Sequence, residues 1–153
     1  GLWGVAPGGS ADTRGDTLCF GGDGTTVAAV AIERTGRCTL SPATPELVES
    51  VLRLGSSHGP SKLADSGLRV DQLPDALGRY PVGARMVFGL RIDRVERVDG
   101  YVHFRAAILA RFVEESIVED AGVRPQDVLP VAFAGDPHHR VLAAGPTAIA
   151  AVR

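Results

Sequence analysis

Two loops in the sequence gather side chains that can carry acid–base chemistry. The first loop, His58-Gly59-Pro60-Ser61-Lys62, holds an imidazole, a hydroxyl and the only lysine of the chain. Loops on a rigid scaffold often carry function. A histidine or lysine there can act as a general acid or base, and a lysine can hold a phosphate or a carboxylate. His58 and Lys62 are therefore candidate catalytic residues, with an ordinary polar surface loop as the alternative.

The second loop is Asp136-Pro137-His138-His139. Asp-Pro commonly opens a helix, and neighbouring histidines on a helix point about 100° apart, which disfavours a shared metal ion. One histidine can pair with Asp136, or both can bind an anion at the helix start; capping with solvent exposure is the alternative. Asp136, His138 and His139 are therefore further catalytic candidates. We identify no metal-ligating set and no cofactor-binding residues.

A third segment, Gly21 to Thr26, is superficially similar to a phosphate-binding loop. A P-loop needs a lysine followed by serine or threonine that enters a helix, and the dinucleotide fingerprint has a different glycine spacing. The apolar residues that follow, over 25–33, are typical of a strand, as are residues 17–20. The segment is therefore predicted as a tight hairpin turn, in which the glycines supply positive φ angles.

The composition predicts one globular domain. A chain of 153 residues can bury a core without disulfides or metal, and its net charge of −2 gives no field that attracts nucleic acid or an acidic membrane. No apolar run reaches membrane-spanning length and no signal peptide is visible, so we expect a cytoplasmic location. A small-molecule ligand and a homo-oligomer remain open as partners.

The two cysteines, Cys19 and Cys38, are too few for a disulfide scaffold and lack the spacing of a metal site. Free cysteines usually behave as small buried apolar residues. We therefore expect both thiols to be buried, with a disulfide across neighbouring strands as the alternative.

Residues 1–15 are predicted to form an arm and residues 16–153 a single α+β domain. A turn at Thr35-Gly36 and a short strand at 37–40 complete a small N-terminal antiparallel meander. Helical patterns follow in several places, since caps, first-turn prolines and apolar residues at helical spacing coincide there. The predicted helices are Thr44–Gly55, Asp71–Leu77, Val113–Ala121 and a helix that begins at Asp136. Val131–Phe133 is predicted as a buried strand, and Thr147–Val152 as either strand or helix.

A long hairpin over residues 86–112 is the strongest local prediction. Asp99-Gly100 is the preferred pair for a two-residue turn, and apolar and polar residues alternate cleanly along the second strand. The apolar phase of the first strand switches between Ile92 and Val95, which requires an extra residue. We therefore predict a β-bulge near Asp93-Arg94. This register places Val95 opposite Phe104, Ile92 opposite Ala106, Leu90 opposite Ile108, and Glu96 opposite His103 as a cross-strand ion pair.

From Arg85 onward, four short motifs occur in a fixed order: Arg85-Met86, Asp93-Arg94-Val95, Gly100-Tyr101-Val102 and Phe133-Ala134-Gly135-Asp136-Pro137. This order is similar to that of the hot-dog-fold hydroxyacyl-thioester dehydratases. The resemblance implies a hot-dog-like sheet around a helix, with acyl thioesters as a ligand class. It does not imply dehydratase activity, because Ala132 stands where the family has its catalytic histidine and Pro146 stands near its helical carboxylate.

The sequence thus predicts an α+β domain in which an antiparallel sheet with a long hairpin packs against two or three short helices. The first functional hypothesis is an enzyme or binding protein for a small molecule, held in a pocket between sheet and helices. The second is a non-catalytic interaction or assembly domain that self-associates through its sheet. The two differ in whether the candidate residues meet in one cleft.

Overall fold

The computed structural model describes residues 12–14, 16–57, 59–119, 122–123, 125–128, 131–134, 140–143 and 149–151. The strands are β1 (Asp12–Arg14), β2 (Thr17–Asp23), β3 (Arg37–Leu40), β4 (Val70–Gln72), β5 (Arg79–Pro81), β6 (Met86–Val98), β7 (Tyr101–Val113), β8 (Val118–Glu119), β9 (Gly122–Val123), β10 (Val131–Ala134), β11 (Arg140–Ala143) and β12 (Ile149–Ala151). The α-helices are α1 (Val27–Thr35), α2 (Val48–Ser56), α3 (Lys62–Asp65) and α4 (Pro125–Val128). Short 3-10 turns occupy Pro45–Leu47, Pro74–Ala76 and Glu115–Ile117.

A five-stranded antiparallel sheet in the order β1-β2-β7-β6-β3 is the centre of the molecule. Three smaller sheets accompany it: β4 with β5, β8 with β9, and β10-β11-β12. An antiparallel sheet with a few short helices confirms the predicted mixed architecture. The long hairpin β6–β7 is the part that the sequence locates best.

The register of that hairpin agrees with the sequence prediction. Ile92 pairs with Ala106 and Arg94 with Arg105, so Asp93 is an extra residue on β6, and the bulge is confirmed. The predicted pairs Val95–Phe104, Leu90–Ile108 and Glu96–His103 all occur. A second shift, which the sequence does not predict, lies between Gly89 and Leu90 because Leu109 on β7 has no paired residue.

Helix α1 corrects the largest error of the sequence analysis, which assigned residues 25–33 to a strand. The Thr26 hydroxyl accepts a hydrogen bond from the Ala29 N–H at 3.2 Å, so Thr26 caps the helix start. At the other end, Gly36 adopts φ 65° and donates its N–H to the Ile32 carbonyl at 2.8 Å. These two caps, together with alanine-rich sequence, outweigh the strand preference of the valines and isoleucine.

The predicted N-terminal meander is also wrong, because β2 and β3 do not pair with each other. Strand β2 pairs with β7, and β3 pairs with β6 on the opposite side of the long hairpin. Residues Gly21 to Asp23 continue β2, so the tight turn predicted there is absent and Gly24-Thr25 leads directly into α1.

The other helix predictions also need correction. Residues 71–77 form β4 and a 3-10 turn, and residues 113–121 contain the end of β7, a 3-10 turn and β8. In both segments part of the chain pairs with a neighbouring strand, β4 with β5 and β8 with β9, instead of forming a helix. The helix predicted after Thr44 exists as a 3-10 turn and α2, but it continues past Gly55 to Ser56. The strand predicted at 131–133 is confirmed as β10. Arg140–Ala143 is the strand β11, so the helix predicted from Asp136 is wrong over these residues, and Asp136 itself lies outside the described residues.

Two groups of buried side chains hold the sheet and helix α1 together. The first, on the inner face of the sheet, contains Leu18, Leu90, Ala106 and Ile108. The second contains Ala29 of α1 with Val102 and Phe104 of β7, and the half-buried Phe20 packs against both groups. A separate group around α2 contains Leu47, Leu54 and Leu68. The inner face therefore fixes α1 to the hairpin, while the opposite, outer face of the sheet is exposed.

The two cysteines lie on different strands and in different environments. Cys19 on β2 is exposed, and Cys38 on β3 is half-buried against the first core group. Because β7 and β6 separate β2 from β3, the thiols are about three strand spacings, or ~14 Å, apart, and the alternative of a disulfide is wrong. The expected burial holds for Cys38 in part and is wrong for Cys19.

Burial raises the pKa of the Cys38 thiol to about 12, from 9.0. The folded chain therefore keeps this proton while the unfolded chain loses it, so stability falls as pH rises from 9 to 12. Replacing Cys38 by Val should remove a loss of up to about 1.4 kcal/mol per pH unit. Urea unfolding at pH 8, 9.5 and 10.5 checks this, and parallel pH profiles for wild type and C38V would contradict it.

No helix in the described part of the chain is long and apolar enough to cross a membrane.

Candidate functional site

The start of helix α1 presents a group of hydrogen-bond donors at one end of the main sheet. As in any helix, the first N–H groups, those of Val27 and Ala28, have no intrahelical acceptor. The hydroxyls of Thr25 and Thr26 lie beside them, and both side chains are exposed. With nine residues, the helix also carries partial positive charge at this end. This segment, residues 23–28, is called the α1 loop below.

Asp23 supplies a negative charge to the same loop. Its Oδ1 accepts hydrogen bonds of 2.7 Å from both the N–H and the hydroxyl of Thr25. The Thr25 hydroxyl, and then the Thr25 N–H, lower the pKa of the Asp23 carboxyl group, because both hydrogen bonds stabilise its ionised form. The α1 loop therefore combines free donors with one internal anion that competes for them.

Two contacts fix the α1 loop to the tip of the hairpin. The Gly24 N–H donates to the Gly100 carbonyl at 2.9 Å. Arg97 on β6 donates to both carboxylate oxygens of Glu33 on α1, at 2.9 and 2.8 Å, and this pairing raises the pKa of Arg97. A Cβ on Gly24 would stand 2.8 Å from the Arg97 guanidinium and 3.0 Å from the Gly100 carbonyl oxygen. The close approach of loop and hairpin thus leaves little room for a side chain at position 24.

A groove of about 250 Å³ lies on the sheet next to this loop. Its polar lining comes from exposed side chains on the outer face of three adjacent strands, and Phe20 and Phe104 also line it. The register places Cys19 and Arg94 on either side of Arg105, and Gly21 and Glu96 on either side of His103. This feature is called the outer-face groove; its polar lining residues are Cys19, Arg94, Glu96, His103 and Arg105.

The predicted ion pair between Glu96 and His103 is not formed, although the two residues are opposite each other. A Glu96 oxygen lies 4.0 Å from the Arg94 guanidinium, and the His103 ring lies 6.4 Å from the Tyr101 ring. Within residues 16–57 and 59–119, Glu96 thus has its charge contact with arginine on its own strand.

Of the predicted catalytic residues, the structure describes Lys62 alone. Lys62 begins the short helix α3 and is half-buried. His58, Asp136, His138 and His139 lie outside the described residues. Their proposed meeting in one cleft therefore stays a prediction. In the residues that the structure describes, no group of three or more His, Cys, Asp or Glu side chains could hold a metal ion.

Sequence reasoning missed both features described above. The signal for the α1 loop was present, since Asp23-Gly24-Thr25-Thr26 followed by an alanine-rich run is a helix start. The assignment of a strand to residues 25–33 concealed it. The outer-face groove has no local signal, because it forms only when β2 pairs with a strand more than 80 positions later.

No protein-family model matches the sequence, and no curated protein matches it. Solved structures match the fold. A split-barrel protein from Shewanella frigidimarina, named for flavin reductase, has a TM-score of 0.78 and 16% identity, covering 91% of this chain and 73% of its own. Flavoredoxin of Desulfovibrio vulgaris has a TM-score of 0.72 and 21% identity, with coverages of 86% and 72%. An FMN-binding protein from Thermus thermophilus has a TM-score of 0.71 and 17% identity, with coverages of 96% and 80%.

These structures correct the hot-dog resemblance. The motifs from Arg85 to Pro137 are short, and several of them, such as Gly100-Tyr101-Val102, only mark a hairpin turn and the strand after it. Such motifs recur in any fold with a long antiparallel ribbon. The proposed acyl-thioester ligand depended on that resemblance and has no other support. The chain has the split-barrel fold of these flavin proteins, and the hot-dog assignment is wrong.

Proposed function

We propose that this protein binds flavin mononucleotide (FMN) and holds its phosphate at the α1 loop. The main observation in support of the proposal is the fold, which this chain shares over most of its length with a flavoredoxin and an FMN-binding protein. Fold alone does not determine function, so the proposal also needs a site with suitable chemistry. The alternative of a non-catalytic domain that self-associates through its sheet stays a prediction.

The donors of the α1 loop suit a phosphate group. The free N–H groups of Val27 and Ala28 point along the helix axis out of its first turn, where the helix dipole favours an anion. The hydroxyls of Thr25 and Thr26 already donate to the Asp23 carboxylate and the Asp23 carbonyl, at 2.7 and 3.0 Å, so the free donors are these two N–H groups. Thr26 also caps the helix through Ala29, so the same residue holds the loop in shape.

Bound FMN would supply one- and two-electron redox chemistry at its isoalloxazine ring. The residues of this chain bind and orient it. The Gly24–Gly100 hydrogen bond and the Arg97–Glu33 pair hold the α1 loop against the hairpin, so the donors are in place before the ligand arrives. Such preorganisation reduces the entropy cost of binding.

A comparison of FMN with riboflavin tests the proposal, because riboflavin lacks only the phosphate. Charge-assisted hydrogen bonds contribute about 1.5–3 kcal/mol, and 1.4 kcal/mol is a tenfold change in affinity. FMN should therefore bind at least about tenfold more tightly than riboflavin in a fluorescence titration. Equal affinities, or no binding of either flavin, would refute the phosphate site.

Replacing Asp23 by Asn should raise the affinity for FMN by about three- to tenfold, with little effect on riboflavin. The Asn side-chain oxygen can still accept from Thr25, while the negative charge that competes with phosphate is removed. Asp71→Asn is the matched control, because the Asp71 carboxylate also accepts a backbone N–H, that of Gln72, at 2.8 Å but lies outside the loop. A weaker FMN complex in D23N, or an equal gain in D71N, would count against phosphate at this position.

A further inference from the structure

We propose that the outer-face groove is a second binding site, which takes a small organic molecule carrying a carboxylate or phosphate group. Arg94 and Arg105 would hold the oxyanion, and the exposed thiol of Cys19 would lie beside the ligand. The proposal does not rest on FMN binding, since the groove lies on the outer face and the α1 loop lies at the end of the sheet.

The first observation is a pair of like charges, of which only Arg94 has an acidic partner. Arg94 on β6 and Arg105 on β7 are directly opposite each other in the register. Directly opposed residues have Cβ atoms about 4.5–5.5 Å apart, and like charges at that position repel. An oxyanion between two guanidinium groups converts this repulsion into attraction, because each guanidinium can donate two hydrogen bonds to it.

The second observation is that the nearby acids neutralise only one of these two charges. Asp93, the bulge residue, is engaged by Arg91 with a 3.2 Å contact. Glu96 lies 4.0 Å from Arg94. Among the residues that the structure describes, Arg105 has neither an ion-pair partner nor a side-chain hydrogen bond. One full positive charge therefore faces the groove in addition to the Arg94–Glu96 pair.

The third observation is the space beside these charges. Gly21 has no side chain next to His103; a Cβ there would stand 3.1 Å from the His103 Nδ1. This absence of a side chain leaves room between Cys19 and the end of β2. A volume of about 250 Å³ fits a benzoate- or phenyl-phosphate-sized molecule better than a complete dinucleotide. The imidazole of His103 adds a donor or acceptor at the same wall.

Cys19 supplies a probe inside the groove. Its thiolate attacks a disulfide reagent, forms a mixed disulfide and releases one thiolate leaving group. The reagent 5,5′-dithiobis(2-nitrobenzoate) is an aromatic dicarboxylate, whereas 4,4′-dithiodipyridine is neutral. The two arginines should accelerate the anionic reagent selectively. Cys38 should contribute little near pH 8, because its thiol is half-buried and its pKa is raised to about 12.

The experiment measures the rate of Cys19 modification by both reagents in the full chain at low salt. Arg105→Gln should slow the anionic reagent by about three- to tenfold and change the neutral reagent by less than about twofold. Arg94→Gln should act in the same direction. Arg79→Gln is the matched control, since Arg79 is an exposed strand arginine outside the groove lining and should leave both rates unchanged.

Saturable protection identifies the ligand chemistry. Benzoate or phenyl phosphate should protect Cys19 from the neutral reagent in the wild type and in R79Q, and much less in R105Q. The compound that protects at the lower concentration shows whether the groove prefers a carboxylate or a phosphate. Protection that survives in R105Q, or no protection by either compound, would overturn the proposal. R105Q should keep the preference for FMN over riboflavin. If R105Q lost that preference, the FMN phosphate would bind in the groove, and the proposal of two separate sites would be wrong.

Discussion

Replacing Phe104 by Ala should lower the free energy of unfolding by about 3–5 kcal/mol, the largest effect expected for any single side chain here. Phe104 is 3% exposed, and its ring lies 5.2 Å from that of Phe20. It also packs with Ala29, the buried residue of α1. The substitution leaves a cavity between hairpin and helix, so it should also weaken FMN binding at the α1 loop.

Urea denaturation of both proteins measures this effect. Phe104→Leu is the matched control, because it keeps most of the apolar volume and should cost clearly less than the alanine variant. The slope of free energy against urea should stay the same for wild type and F104A if only native packing is lost. A loss below about 1 kcal/mol would show that Phe104 does not connect α1 to the sheet.

Replacing Gly21 by Ala should destabilise the fold by about 1–3 kcal/mol, despite the general preference of strands for alanine over glycine. A Cβ at this position would stand 2.6 Å from the Val102 carbonyl oxygen, which is backbone and cannot rotate away. Strand β2 must then separate from β7 near His103. The change should also alter the outer-face groove and the rate at which Cys19 reacts.

Gly89→Ala provides the matched control for this prediction. Gly89 also lies in a central strand, but its Cβ would meet the Leu77 side chain at 3.6 Å, an ordinary van der Waals distance. Thermal or urea unfolding should therefore show a change within about 1 kcal/mol for G89A. Equal effects of the two substitutions would mean that the contact with the Val102 carbonyl is not what makes Gly21 necessary.

The long hairpin was predictable because its information is local. Asp99-Gly100 specifies the turn, strict alternation specifies the buried face, and the phase change before Val95 specifies the bulge. The second register shift, at Leu109, was not predictable in this way. There the extra residue is apolar and exposed, at 42%, so no interruption of the apolar pattern marks it.

Helix α1 was missed for a different reason. Its apolar residues satisfy a strand pattern nearly as well as a helical one over so short a segment, and Val and Ile favour strands. The deciding interactions are the Thr26 and Gly36 caps and the packing of Ala29 under Phe104, and the last of these is tertiary. The pattern alone therefore could not choose between the two structures.

Neither candidate site has a binding motif, although the α1 loop carries the signal of a helix start. The α1 loop becomes an anion site only once a helix follows it, and the outer-face groove brings together Cys19 and Arg105, which are far apart in the sequence. The loops that the sequence favoured, at residues 58–62 and 136–139, drew attention because they contain histidine and lysine. Residue type alone, without the pairing of strands, does not show which polar groups share a surface.

Amide chemical-shift mapping in a titration of the ¹⁵N-labelled protein with FMN tests the central claim most directly. The proposal predicts that the largest shifts belong to the N–H groups of Thr25, Thr26, Val27 and Ala28, and that riboflavin shifts them much less. Largest shifts near Arg105, or none in residues 23–28, would contradict phosphate binding at the start of α1.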